Sequence, residues 1–206
     1  MALDESLRKT RNIILGILAT QLVILFLIFF PAPWRAAPYL GFAAGQQGGV
    51  WAWLLAAVTV VLYTRSAASI STVRTYMFKA DSLKLLAVLA AFAAAIVEEV
   101  IFRKLVMDFL QERGQSSTAQ VLAGAISFGL AHLAWGFKSW RAALNAALST
   151  TILGAALGVV YLLADRSLAP CVVAHFLISA LIEPGLIHAA VQDKLGVWRE
   201  QTTEEV

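Results

Sequence analysis

A single cysteine, Cys171, stands in a chain of 206 residues, which excludes an internal disulfide framework and any multi-cysteine zinc site. Charge is scarce as well: Asp, Glu, Lys and Arg make up 14% of the residues, far below what clothes a soluble domain of this length. The net charge of +3 does not indicate a nucleic-acid partner, because the basic residues are scattered at the ends of apolar runs and nowhere clustered. There is no internal repeat and no low-complexity tract. What the chain has in abundance is apolar surface: 60% of its residues are hydrophobic and its mean hydropathy is +0.76. Its solvent is therefore lipid.

Apolar runs lie near Asn12–Phe30, Leu40–Tyr63, Leu83–Phe102, Ala119–Trp135, Leu144–Leu163 and Leu168–His188. Each approaches the roughly 20 residues that cross a hydrocarbon core in helical form. The expected fold is all-α, a single polytopic transmembrane helix bundle of about six spans. The first run follows Arg8-Lys9-Thr10-Arg11 in the order of a secretory signal, but its length and the following Pro31-Ala32-Pro33 predict a retained span. Residues 65–81 form the one long connection, open to an interfacial amphipathic piece or a plain loop. An amino terminus on the cytoplasmic side puts about eleven basic residues there against about five opposite, which predicts that both termini are cytoplasmic. Trp34, Trp51, Trp53, Trp135, Trp140 and Trp198 fall near run ends, as anchoring indoles do. Gly154 and Gly158 form a small-xxx-small pair that predicts close helix packing.

Ionisable groups inside such runs cost several kcal/mol unless they are paired or face a wet cavity, roughly 3 kcal/mol each on insertion scales, so they are candidate functional residues. Glu98, Glu99 and Arg103 close the third run, His132 lies late in the fourth, and His175 lies in the first half of the sixth. Glu99 and Arg103, four residues apart, share a helix face as an ion pair. Glu98 lies about 100° round the helix and is left without a same-helix cation, which makes it the candidate general base. Phe128, one turn before His132, can wall that ring. His175, Ser179 and Glu183 recur at helical spacing and present imidazole, hydroxyl and carboxylate along one stripe, until Pro184 disrupts the helix. A turn near Gly114 places Glu98 and His132 at similar depth, about 24 and 27 Å away along antiparallel helices, if the third helix continues to about Glu112. His175 reaches that level if this hairpin protrudes by a few turns. Glu183 and His188 are expected to be structural and to snorkel at the end of the last span. Asn145 is expected to bond a neighbouring helix, and Cys171 to be a small buried apolar residue.

Three segments, in order, resemble the CPBP family, the CAAX-protease and bacteriocin-processing group also called Abi. Glu98-Glu99-Val100-Ile101-Phe102-Arg103 is similar to its E-E-x-x-x-R motif, Phe128 to His132 to F-x-x-x-H, and His175 to Ser179 occupies H-x-x-x-N/D with Ser in place of the usual Asn or Asp. The resemblance covers about residues 83–183, a four-helix catalytic core, and implies a metal-independent glutamic-type intramembrane endopeptidase with no cofactor. It implies that Glu98 activates water with help from His132, that His175 and Ser179 serve the oxyanion, and that Glu99, Arg103 and Phe128 support the site. The implied partners are the lipid bilayer and a membrane-associated peptide or protein substrate, and the implied setting is a bacterial inner (plasma) membrane. Three other readings stay open on the residues alone: a zinc site from one Glu and two His, an inactive scaffold or chaperone suggested by Ser179, and a proton or ion pathway.

Overall fold

The computed structural model describes residues 5–136, 139–192 and 194–195. All regular structure among them is helical: besides the short helical turns Pro33–Arg35 and Ala36–Tyr39, it comprises α1 (Glu5–Phe29), α2 (Val50–Ala67), α3 (Ser71–Tyr76), α4 (Ser82–Glu112), α5 (Ser117–Ala131), α6 (Trp140–Leu163), α7 (Ala169–Ile182) and α8 (Gly185–Val191). Five helices are long and apolar enough to cross a membrane, counting α5 with its 3₁₀ continuation His132–Gly136. The pair α7 and α8, bent by 55° at Glu183-Pro184, makes a sixth span if taken as one. The protein is thus a polytopic helical membrane bundle. Lys138, Trp198 and Arg199, which figure in the topology and anchoring expectations, lie outside the described residues.

Local chemistry sets the starts of three helices. Asp81 accepts a hydrogen bond from the Lys84 N–H at 2.8 Å, Ser116 from Ala119 at 3.3 Å and Ser139 from Ala142 at 3.2 Å, each satisfying an orphan donor of a first turn. Small residues then set the packing. The buried face of α4 carries Ala87, Ala90, Ala91, Ala93 and Ala95, and Ile14 of α1 packs against its first half. A Cβ on Gly154 would stand 3.0 Å from the Ala125 backbone and 3.1 Å from the Phe128 ring. The expected glycine pair thus brings α6 onto α5. Leu22, Val23, Phe26 and Leu27 of α1 stay exposed, as lipid-facing side chains do.

Several expectations are corrected. α2 begins at Val50 rather than Leu40; the intervening residues form a loop that lies on the α6–α7 turn. Gly48, at φ +78°, approaches that turn so closely that a Cβ would meet Ala164 Cβ at 2.8 Å. Within 65–81, α3 is a packed element, with Val73 and Tyr76 buried and the Val73 backbone against Gly185 of α8. It is not a plain loop, and with Arg74 and Thr75 exposed opposite Val73 and Tyr76 it has the two faces of an amphipathic piece. His188 does not snorkel: it is buried, with Nδ1 3.1 Å from Thr10 Oγ1, Nε2 2.9 Å from Gln192 Nε2 and its ring 5.6 Å from Tyr76. The Asn145 amide donates to the Leu195 carbonyl at 2.9 Å, beyond α8, and not to a neighbouring helix. Glu183 caps α7 and keeps the stripe of His175 and Ser179: its N–H still donates to the Ser179 carbonyl at 2.9 Å, its carboxyl is near enough to Glu98 and His175 to feel both charges, and only beyond it does the chain leave the helix, at ψ 146°. The carbonyls of Leu181 and Glu183 accept from Lys84 Nζ at 3.0 and 2.7 Å, which closes the broken end of α7 onto α4.

The α4–α5 hairpin does protrude. Lys104 Nζ donates to the Arg166 carbonyl at 3.1 Å, which puts the α6–α7 turn level with Lys104, while α4 runs on to Glu112 before turning through Gly114 at φ +73°. Asp108 accepts from the Tyr161 hydroxyl at 2.9 Å and pairs with Arg166, whose other amino group reaches Gln120 on α5.

Candidate active site

The centre of the site is the Glu99 carboxylate. It accepts a hydrogen bond from Arg103 Nε on one oxygen, at 2.8 Å, and from His175 Nδ1 on the other, also at 2.8 Å. Glu99 and Arg103 are fully shielded from solvent and His175 nearly so. The expected Glu99–Arg103 pair is therefore present, and it also ties α4 to α7. A buried carboxylate that receives two donors is compensated in both charge and hydrogen bonding.

Backbone geometry helps α4 carry this arrangement. From Val100 to Met107 the helix is π-helical, and the Asp108 N–H reaches back five residues to the Arg103 carbonyl. Such widened turns concentrate at functional sites, because they re-aim the side chains that follow. Gly124 of α5 faces the segment: a Cβ there would stand 3.1 Å from the Phe102 carbonyl and 3.4 Å from Arg103 Nη1. The two Nη groups of Arg103 have no hydrogen-bond acceptor among the described residues, and the guanidinium carbon lies 5.9 Å from the Phe128 ring centroid.

Phe128 joins the motifs. Its fully buried ring is 5.1 Å from that of Phe102, 4.6 Å from His132 and 5.6 Å from His175, all edge to face. His132 falls where α5 tightens into its 3₁₀ turn, and its Nδ1 lies 2.8 Å from the Phe128 carbonyl. A carbonyl only accepts, so Nδ1 carries the proton, and Nε2 of the neutral ring keeps its lone pair. By the same reasoning Nδ1 of His175 donates to Glu99. Its Nε2 then faces Glu98, 3.7 Å from Oε2, a separation too long for a direct hydrogen bond. Glu98 Oε2 is itself buried without a hydrogen-bond partner among the described residues.

Glu98, Glu99, Arg103, Phe128, His132 and His175 thus form one continuous cluster across α4, α5 and α7, although His132 reaches it through Phe128 and makes no bond to Glu98. Ser179 lies one turn beyond His175, half-buried, and its hydroxyl makes no hydrogen bond among the described residues. Cys171 is buried with Sγ 3.4 Å from the Leu157 carbonyl, a weak contact of a small core residue. Among the described residues no group of three His, Cys, Asp or Glu side chains is arranged to hold a metal ion. The Asp108, Tyr161, Arg166 and Gln120 cluster that fixes the hairpin had no motif to announce it. Only the run of charges from Lys104 to Arg113 beyond the apolar stretch hinted at it.

A helical membrane bundle with a carboxylate–histidine–guanidinium cluster sunk between its helices is the class that fold and cluster define. Residues 80–181 match the model of the family described as type II CAAX prenyl endopeptidase Rce1-like, a family of peptidases, and the chain belongs to it. No curated protein and no solved structure matches the chain. The matched segment contains all three motifs from which the resemblance was drawn.

Proposed function

We propose that the protein is an intramembrane endopeptidase that hydrolyses a membrane-associated peptide or protein, with Glu98 as general base. The observation that carries this reading is a half-buried glutamate, Glu98, whose buried Oε2 makes no hydrogen bond among the described residues and lies 3.7 Å from Nε2 of a histidine whose other nitrogen is fixed by Glu99. Glu98 takes a proton from water as the oxygen attacks the scissile carbonyl, and returns it to the leaving amine when the C–N bond breaks. His132, its Nδ1 committed to the Phe128 carbonyl, offers the Nε2 lone pair to the second hydrogen of that water and orients it. His175, protonated on both nitrogens and balanced by Glu98 and Glu99, directs Nε2–H at the developing oxyanion. In a water-poor site such a preorganised donor contributes more than it would in solvent. Arg103 keeps the cluster near neutrality, and no step requires a metal or cofactor.

The bench test is Glu98→Gln, a near-isosteric change that removes the base. Hydrolysis of a quenched-peptide library should fall about a hundredfold or more, with an unchanged melting temperature in detergent. Wild-type turnover in a folded variant would acquit Glu98. Ser179 favours a second reading, a family-fold scaffold or chaperone that binds a membrane partner without turnover, because a short unbonded hydroxyl stands where the family has an amide or carboxylate. We place both termini on the cytoplasmic side, from the distribution of Lys and Arg along the sequence, and the protein in a bacterial inner membrane, as the resemblance of its motifs implies.

A further inference from the structure

Beside His132 lies a cavity of about 380 Å³ that the hydrolytic chemistry leaves unused. It opens between the end of α2, the His132–Gly136 turn, the first half of α6 and the α7–α8 junction. His132 forms part of its wall, so the cavity is continuous with the cluster around Phe128. Its volume falls in the range of ligand pockets and matches one or two large side chains more than an extended chain.

The lining is mixed, but most of the polar groups on its α2 and α6 walls are spent internally. Tyr63 and Ser149 share a hydrogen bond at 2.7 Å, Thr150 Oγ1 donates to the Ala146 carbonyl at 2.7 Å, and the Asn145 amide donates to Leu195. The surface offered to a guest comes from Ile70, Trp135, Ala146, Ile182 and Leu186, with exposed Lys194 also among the lining residues. Away from His132 Nε2, Ser66 and Lys194, a polar guest would have to break one of those bonds to be satisfied, whereas an apolar one loses nothing.

We infer that this cavity is a specificity pocket that takes a bulky apolar side chain of the substrate next to the scissile bond, with Ala146 and Ser149 of α6 setting its depth. The inference rests on the hydrolytic reading of the site. It also bears on substrate class: the protein selects peptides with an aromatic or large aliphatic residue flanking the cleavage point. Filling the pocket removes that preference without touching Glu98, His175 or Glu99.

Two measurements test this. In the first, kcat/KM is compared for a pair of quenched peptides identical except for Phe or Ala at the flanking position. Wild type should favour Phe, and Ala146→Phe should lower the Phe-to-Ala ratio tenfold or more, within the span by which apolar pockets discriminate. Ala146→Leu, a milder filling, should give an intermediate ratio and guards against a misfolded first variant. The second measurement needs no turnover: an alanine-rich peptide carrying benzophenone-phenylalanine is photo-crosslinked to the Glu98→Gln protein. Adducts should map to residues 132–135 and 145–150, and Ala146→Phe should remove them. An unchanged ratio in both fillings, or adducts elsewhere, overturns the pocket. Displacement of the probe by an S-farnesylcysteine peptide at far lower concentration than by the Phe peptide overturns the side-chain assignment. Failure of the hydrolytic reading shows up separately, as full activity in Glu98→Gln, because the crosslinking arm does not depend on it.

Discussion

Arg103→Ala should be among the most damaging single changes in the molecule, and for reasons that can be taken apart. The guanidinium is fully buried, and its Nε is one of two donors to the equally buried Glu99. Removing it leaves a carboxylate in low dielectric with only the His175 Nδ1–H, and truncating one partner of a buried ion pair costs about 3–5 kcal/mol. It also empties the space between Phe128, Gly124 and the π-helical turn, so some of the loss is packing. A double-mutant cycle in detergent separates the two contributions. Glu99→Gln alone keeps an acceptor for one donor and should cost less, and Glu99→Gln with Arg103→Ala should recover about 0.5–3 kcal/mol of the summed losses, the range for residues in direct contact. Unfolding is followed by thermal or SDS titration, and hydrolysis is read in parallel. Activity in Arg103→Ala should fall even where the protein is folded, because Glu99 no longer holds His175 in place. Strict additivity of the two singles would show that the 2.8 Å contact carries no coupling and refute the reasoning.

Gly129→Ala should be nearly as harmful, since its Cβ would stand 2.6 Å from the Ala147 carbonyl oxygen and 1.9 Å from Thr151 Oγ1. Overpacking of this kind costs about 1–3 kcal/mol, and adding Thr151→Ala should restore only part of it, because the backbone clash persists; full rescue by thermal melt would be the contrary result. Ser179→Asn should raise turnover if the amide reaches the oxyanion, by up to the factor corresponding to the ~3 kcal/mol a good donor supplies, while Ser179→Ala should change little. Inactivity of wild type and both variants, in folded protein and across varied peptides, would support the scaffold reading. Hydrolysis should survive EDTA and phenanthroline; loss on chelation with recovery on adding zinc would replace Glu98-activated water with metal-bound water.

The motif residues could be read from the sequence because lipid makes their presence costly: a glutamate, an arginine and two histidines inside apolar runs stand out against alanine and leucine. Helical spacing was enough to pair Glu99 with Arg103, and residue counts about Gly114 anticipated that α4 runs on to Glu112. The second bond of Glu99, to His175, was out of reach, since it depends on how α7 is tilted against α4 and nothing in either helix encodes the other's azimuth. Spacing also placed Glu183 on the stripe of His175 and Ser179, and its N–H bond to the Ser179 carbonyl keeps it there although α7 ends at Ile182. His188 was misjudged because hydropathy cannot tell a residue near a chain end from one covered by α1 and α3. Polar residues in short elements such as α3 look like loop until their tertiary neighbours are known.

The π-helical stretch in α4 has a consequence for how this helix tolerates insertions and deletions. Its hydrogen bonds close over five residues instead of four, so the loss of one residue between Val100 and Met107 is taken up by tightening the wide turn to ordinary α-helix, with Glu98 and Glu99 on one side and Asp108 on the other kept in phase. The gain of one residue there finds no such slack: everything downstream turns by about 100°, Asp108 swings away from Tyr161 and Arg166, and the hairpin comes off the turn that now seats it. Tolerance to a change of length in this stretch is therefore one-sided.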